Sequence, residues 1–175
     1  MNVLITGANG QVGKSFKDLK VNKKIKFFYY SKNRLDITNY NETIKVINKI
    51  KPEVIINCAA YTDVENSEIY KNLAKKINSW GPLNLAKVCK VHKIFLIHIS
   101  TDYVFNGKKK NYKENSNTDP INFYGTSKLM GEKNIKKVNF KFLIIRTSWV
   151  FSKYGKNFLK TIKKLIQKKK KIFIF

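Results

Sequence analysis

Short, nearly continuous apolar runs recur along the chain, separated by longer stretches in which apolar residues return every three or four positions. The runs are VLIT (3–6), IKFFYY (25–30), EVIIN (53–57), IFLIHIS (94–100), FLIIRT (142–147) and IFIF (172–175). Runs of this length that stay apolar read as strands covered on both faces, and the intervening periodic stretches read as helices. The helical segments are 11–20, 39–50, 65–92, 122–138 and 156–170. Strict alternation of the two kinds predicts an α/β fold, a doubly wound and mostly parallel sheet of six strands with five helical connections. No internal repeat or Pro, Gly or Ser-rich linker interrupts the pattern, and low complexity is confined to the terminal QKKKK. The long polar segment from Asn106 to Pro120 is expected at the carboxyl edge of the sheet, where ligands bind in such folds.

Composition narrows this picture. At 175 residues and 43% hydrophobic content, the chain can bury most of its apolar surface as one domain. Its formal charge of +25 raises nucleic acid as a partner. The distribution argues against it: only Arg34 and Arg146 carry the guanidinium fork that suits phosphate and guanine, and the 34 lysines are spread over the whole chain. Lysine, asparagine and isoleucine make up 75 of the 175 residues, the bias an AT-rich genome would supply, so much of the charge is expected on solvated faces. The chain starts directly on VLIT, with no signal-like leader and no long apolar span, which predicts a cytoplasmic protein without membrane attachment. Cys58 and Cys89 lie inside apolar segments and read as reduced, buried thiols.

The first strand runs straight into GANGQVG (7–13) and then a helix. In that context Gly7 serves a tight turn, Gly10 lets backbone approach a pyrophosphate, and Gly13 lets helix and strand pack closely, the arrangement of a Rossmann-type dinucleotide site. No acid follows the second strand at 27–33, while Lys32 and Arg34 are near, which favours NADPH over NADH. Asp36 reads equally as a helix cap or as a cofactor contact. The ends of the third and fourth strands, NCAAYTDVENSE and HISTDYVF, should open onto the same crevice. In FYGTSKLMGEK (123–133), Tyr124 and Lys128 stand one helical turn apart. A chain this rich in lysine supplies about two such pairs by chance, so the spacing needs its surroundings to carry weight.

Those surroundings carry a resemblance. GANGQVG, LDITN, NCAAYTDVENSE, INSWGPLNLA, ISTDYVFNG, NFYGTSKLMGEK and RTSWVFSKYGKNFLKT, in that order, resemble the dTDP-4-dehydrorhamnose reductase family of the extended short-chain dehydrogenase/reductase superfamily. The resemblance implies a Rossmann domain over 1–171 and a catalytic set of Thr101, Tyr124 and Lys128. It implies cofactor contacts at Gly7, Gly10, Gln11, Val12, Gly13, Asp36, Ile37, Ala60, Tyr61, Thr62, Tyr124 and Lys128, and sugar-nucleotide contacts at Thr101, Asp102 and Trp149. The implied reaction is hydride transfer from NADPH (or NADH) to the C4 ketone of dTDP-4-dehydro-rhamnose, in cell-surface polysaccharide synthesis. Mg2+ enters only through the resemblance, with no ligands identified, as does a homodimer. In this scheme a positive Lys128 lowers the pKa of Tyr124, ordinarily about 10, so that the phenol can protonate the ketone oxygen. The Thr101 hydroxyl stabilises the same oxygen, and Trp149 offers a flat face to a sugar or base, or else packs in a core.

The chain departs from the family pattern at Glu65 and Ser67, both mildly, and at its end. The family continues with a DQxGxPT-like segment and a substrate domain that is largely missing here, so we expect a truncated chain, with a frameshift at the lysine tract and 172–175 as either a last strand or an out-of-frame tail. The alternatives are a non-catalytic dinucleotide-binding regulatory module, a decayed gene fragment, or another sugar-nucleotide epimerase or dehydratase.

Overall fold

The structure, a computed structural model, describes residues 1–19, 22–139, 141–155 and 157–167. Five parallel strands form its sheet: β1 (Asn2–Thr6), β2 (Lys26–Tyr30), β3 (Val54–Asn57), β4 (Phe95–Thr101) and β5 (Phe142–Thr147), in the order β2-β1-β3-β4-β5. The sixth expected strand, 172–175, lies outside the described residues. Register is continuous across the middle of the sheet, with Leu4 opposite Ile55 and Ile55 opposite Leu96. Because successive side chains point to opposite faces, the strands feed two cores. Leu4, Ile55 and Leu96 join Ile47, Leu85, Val88 and Ile135 from the helices on one side, while Val3, Ile5 and Ile56 pack with Phe16, Phe27 and Ile97 on the other.

The helices are α1 (Gln11–Ser15), α2 (Tyr40–Ile50), α3 (Val64–Ile69), α4 (Lys71–Lys75), α5 (Gly81–His92), α6 (Phe123–Val138) and α7 (Phe158–Gln167). The first is shorter than its pattern suggested and tightens into a 3-10 turn at Phe16–Asp18. The stretch expected as one helix over 65–92 is divided. Tyr70, at φ −98° and ψ 50°, separates α3 from α4, and a π-helical turn at Lys76–Trp80 joins α4 to α5. Periodicity survives such a wide turn, which is why the sequence alone reads through it. Pro82 sits in the first turn of α5, directly after the π-helical turn. Asn39 and Asn122 cap α2 and α6, their side chains accepting from Glu42 N and Gly125 N. No residue of α7 is buried, and Phe95, Leu143 and Ile145 leave the outer part of one sheet face exposed. No helix among the described residues is long and apolar enough to cross a membrane.

Candidate active site

The turn after β1 is built by steric necessity. Gly7 has φ +63°, and a Cβ there would stand 2.5 Å from Ala59 N at the end of β3. A Cβ on Gly13 would meet Gly7 O at 2.5 Å, so that glycine lets α1 close onto the turn. A Cβ on Gly10 would stand 3.2 Å from Gly7 O, a tight contact, and the residue borders a cavity on each side.

Two cavities flank Gly10. One, of about 370 Å³, is bounded by Gln11 and Val12, by Ala60 and Thr62 after β3, by Thr101 and Asp102 after β4, by Tyr124 and Lys128 of α6, and by Trp149 after β5. The other, of about 220 Å³, is bounded by Gly7, Asn9, Lys32, Asp36, Ile37 and Ala60. The elongated, two-lobed space runs along the carboxyl ends of the parallel strands, as expected for a dinucleotide-sized ligand. Most residues singled out from the sequence therefore share it. Gly13 does not, being buried beneath the turn, and the Tyr61 side chain lines neither lobe. Trp149 is 73% exposed with φ 51°, standing edge-on to Phe158 at 5.0 Å; it belongs to the rim and not to a core.

Asp36 is not the cap of α2, a place that Asn39 takes. The Asp36 Oδ1 accepts from Thr38 N at 2.9 Å and Thr38 Oγ1 at 2.8 Å, and the residue faces the second lobe. Against the penalty of burial, those bonds and the charges of Lys32 and Lys76 hold its carboxyl below the usual range. Lys32 lines this lobe, whereas Arg34 lies over the Tyr30 ring at 4.3 Å.

Around the tyrosine the electrostatics differ from the sequence expectation. Burial pushes the Tyr124 phenol up from its ordinary value, with the Thr101 hydroxyl opposing and the Asp102 charge adding to the rise. The anticipated lowering by Lys128 is not among these influences, and desolvation of the buried phenolate leads them. Lys128 is 2% exposed, and its Nζ donates to the Ile99 carbonyl at 2.6 Å. Burial brings its pKa from 10.5 to about 8, with the Glu132 carboxylate opposing the fall. Thr101 Oγ1 donates to Asp102 Oδ1 at 3.1 Å and accepts from Tyr103 N at 3.2 Å, which fixes its hydroxyl at the strand end.

Several polar residues that support this site escaped the sequence reading. Thr6, Asn57 and His98 form a buried row across β1, β3 and β4: Thr6 Oγ1 donates to Asn57 Oδ1 at 2.6 Å, and Asn57 Nδ2 donates to His98 Nδ1 at 2.9 Å. His98 is thereby a neutral ring with its proton on Nε2, an atom with no partner, and burial and the Lys128 charge hold its pKa well below 6.5. Asn78, in the π-helical turn, grips the cleft loop through Tyr61 N (2.8 Å) and Tyr61 O (2.9 Å) and reaches Ser127 at 2.9 Å. Thr6, Asn57 and His98 are polar residues inside apolar runs, the one signal available beforehand; Asn78, in KKINSWG, carried none. Cys58 and Cys89 are free, with thiols pushed up to about 12 by burial. Among the described residues no group of three or more His, Cys, Asp and Glu is placed to hold a metal ion.

A parallel sheet in this order, a glycine turn after its first strand and a tyrosine and lysine one turn apart over the same cleft define a Rossmann-type α/β protein with the short-chain dehydrogenase/reductase arrangement. More narrowly, the chain belongs to the RmlD substrate binding domain family, whose model matches residues 1–175. It is similar to dTDP-4-dehydrorhamnose reductase of Aggregatibacter actinomycetemcomitans, 42% identical over 165 residues that cover 93% of this chain and 56% of the relative. The counterpart in Burkholderia thailandensis is 36% identical, with 99% and 58% covered. Among solved structures, the Bacillus anthracis dTDP-4-dehydrorhamnose reductase, crystallised in complex with NADP, is 42% identical and superimposes with a TM-score of 0.95 over 98% of this chain and 61% of its own. The chain thus spans less than two thirds of the length of these relatives.

Proposed function

We propose that this chain binds NADPH and provides the proton-donating side of a reductase acting on the C4 ketone of dTDP-4-dehydro-rhamnose. The observation carrying this reading is that Thr101, Tyr124 and Lys128 line the same cavity as Gly10, Gln11 and Val12 of the glycine turn. The cleft fits the cofactor: Gly10 leaves room for a pyrophosphate between two lobes, Asp36 and Ile37 bound the adenosine side with Lys32 beside them for a 2′-phosphate, and Lys128 faces the other lobe. When bound, NADPH supplies the hydride. Tyr124, its pKa raised, is a protonated phenol at neutral pH and donates its proton from the hydroxyl to the ketone oxygen. Thr101 Oγ1, on turning its one proton from Asp102 Oδ1, offers a hydrogen bond where negative charge grows on that oxygen. Lys128, with a pKa of about 8, holds a positive charge in the same cavity at neutral pH and would support the phenolate left behind. Asp102 and Trp149 stand on the rim, where a sugar nucleotide would enter.

The test is absorbance at the reduced-nicotinamide band with purified protein, NADPH and dTDP-4-dehydro-rhamnose, beside Tyr124→Phe. Oxidation in the parent with a loss of roughly a hundredfold or more in the variant is expected for a lost general acid. Equal rates would remove Tyr124 from its role, and NADPH binding without turnover would favour the non-catalytic dinucleotide-binding module. A cytoplasmic setting, a homodimer and indifference to nucleic acid belong to the same reading; gel filtration and filter binding on DNA check the last two.

A further inference from the structure

Glu132 is a fully buried carboxylate to which the reading above gives no part. It lies on α6 one turn beyond Lys128 and two beyond Tyr124, so the three occupy one face of the helix. Its Oε1 accepts from Ser100 Oγ at 2.5 Å and from Arg146 Nε at 3.0 Å, and its Oε2 accepts from Arg146 Nη2 at 2.7 Å. Ser100 immediately precedes Thr101, and its carbonyl accepts from Thr147 Oγ1 at 3.2 Å. Arg146 is held from outside as well, with its guanidinium over the Phe105 ring at 4.9 Å and a bond to the Glu114 carbonyl at 3.3 Å. One carboxylate therefore joins α6 to the carboxyl ends of β4 and β5.

We propose that Glu132 is a positioning residue, locking the Tyr124 and Lys128 face of α6 against the ends of β4 and β5 and supplying the negative charge that compensates the buried Lys128 ammonium. The proposal rests on the roles given above to Tyr124 and Lys128. The groups facing Lys128 leave little else to do this. Cys58 comes from the end of β3 with its thiol pushed up to about 12, His98 comes from β4 as a neutral ring, and Tyr124 shares the helix as a neutral phenol. Asp102, past β4, lines the cleft and acts on Tyr124. Glu132 is the leading influence favouring the charged lysine against desolvation. A buried ammonium without such an anion loses its proton readily.

The experiment follows the ¹³Cε resonance of Lys128 through a pH titration, assigned by its disappearance in Lys128→Met, in the parent, in Glu132→Gln and in Glu132→Gln/Arg146→Gln. The double variant exchanges the ion pair for an amide pair, so Arg146 is not left buried and unpaired when Glu132 is neutralised. The expected result is a titration midpoint lower by about one pH unit, a tenfold loss of proton affinity, in both variants. An unmoved midpoint with a lower melting temperature would assign Glu132 to architecture alone and overturn the proposal, as would failure of both variants to fold. NADPH binding, read by its fluorescence on the same samples, reports separately on the underlying reading: a parent that binds no NADPH yet shows the midpoint shift leaves the Glu132 coupling standing and the reductase reading without support.

Discussion

Gly7 combines a positive φ with a backbone neighbour 2.5 Å from where a Cβ would sit, and neither can relax without moving the ends of β1 and β3. Gly7→Ala should therefore lose about 2–4 kcal/mol of stability in urea titration, more than an exposed positive-φ glycine would lose. Lys128 makes a prediction with a definite sign. Its folded pKa of about 8 lies below the ordinary 10.5, so between those values the unfolded chain binds more protons and this group's contribution to stability rises with pH. The contribution is complete above 10.5 and is lost as pH falls toward 8. Lys128→Met removes this dependence, so its melting temperature relative to the parent should be most favourable near pH 7 and should decline as pH rises from 8 to 10.5. A constant difference across that range would contradict a buried ammonium. At this scale the sequence disclosed residue types and their spacing, but not the balance of burial against charge. Tyr124 and Lys128 could be picked out by their interval, whereas the raising of the phenol depends on how much of the chain closes over it.

Helices here owe their starts to single side chains. Asn122 caps α6, and the two residues after it bring Tyr124 into the cleft. Asn122→Ala should cost about 1 kcal/mol in chemical denaturation, and should lower turnover further by loosening the turn that carries the phenol. Asn followed by an amphipathic stretch is readable in advance, and the bounds of α2 and α6 agree with that signal to within a residue. The division of 65–92 was not readable. Its interruption at Tyr70 and its π-helical turn leave the apolar period nearly intact, and they persist because Asn78 exchanges helical regularity for three bonds to Tyr61 and Ser127. The cleft loop after β3 is thus held by a residue 17 positions away in sequence, a coupling visible only in the folded chain.

Across the whole molecule, polar side chains stacked through the middle of the sheet tie the glycine turn to β4. His98 is the acid-sensitive member of that row. Its folded pKa lies well below 6.5, so as pH falls from 6.5 the unfolded chain takes up a proton that the folded one refuses, and stability declines. His98→Asn should show a flatter loss of melting temperature between pH 6.5 and 5 than the parent, after allowance for a lower starting value; a parallel decline would place the acid sensitivity elsewhere. The sequence by itself determined the alternation of strand and helix, the parallel sheet and the glycine turn after β1, because these follow from local periodicity and from backbone conformations that only certain residues permit. It also named the residues that could do chemistry. The gathering of Thr101, Tyr124 and Lys128 beside Gly10, the service of Asn57, His98, Asn78 and Glu132 beneath them, and the sign of each pKa shift were decided by tertiary structure. These depend on distances and desolvation between segments far apart in the chain, and such quantities exist only once the sheet has brought its strand ends to one edge.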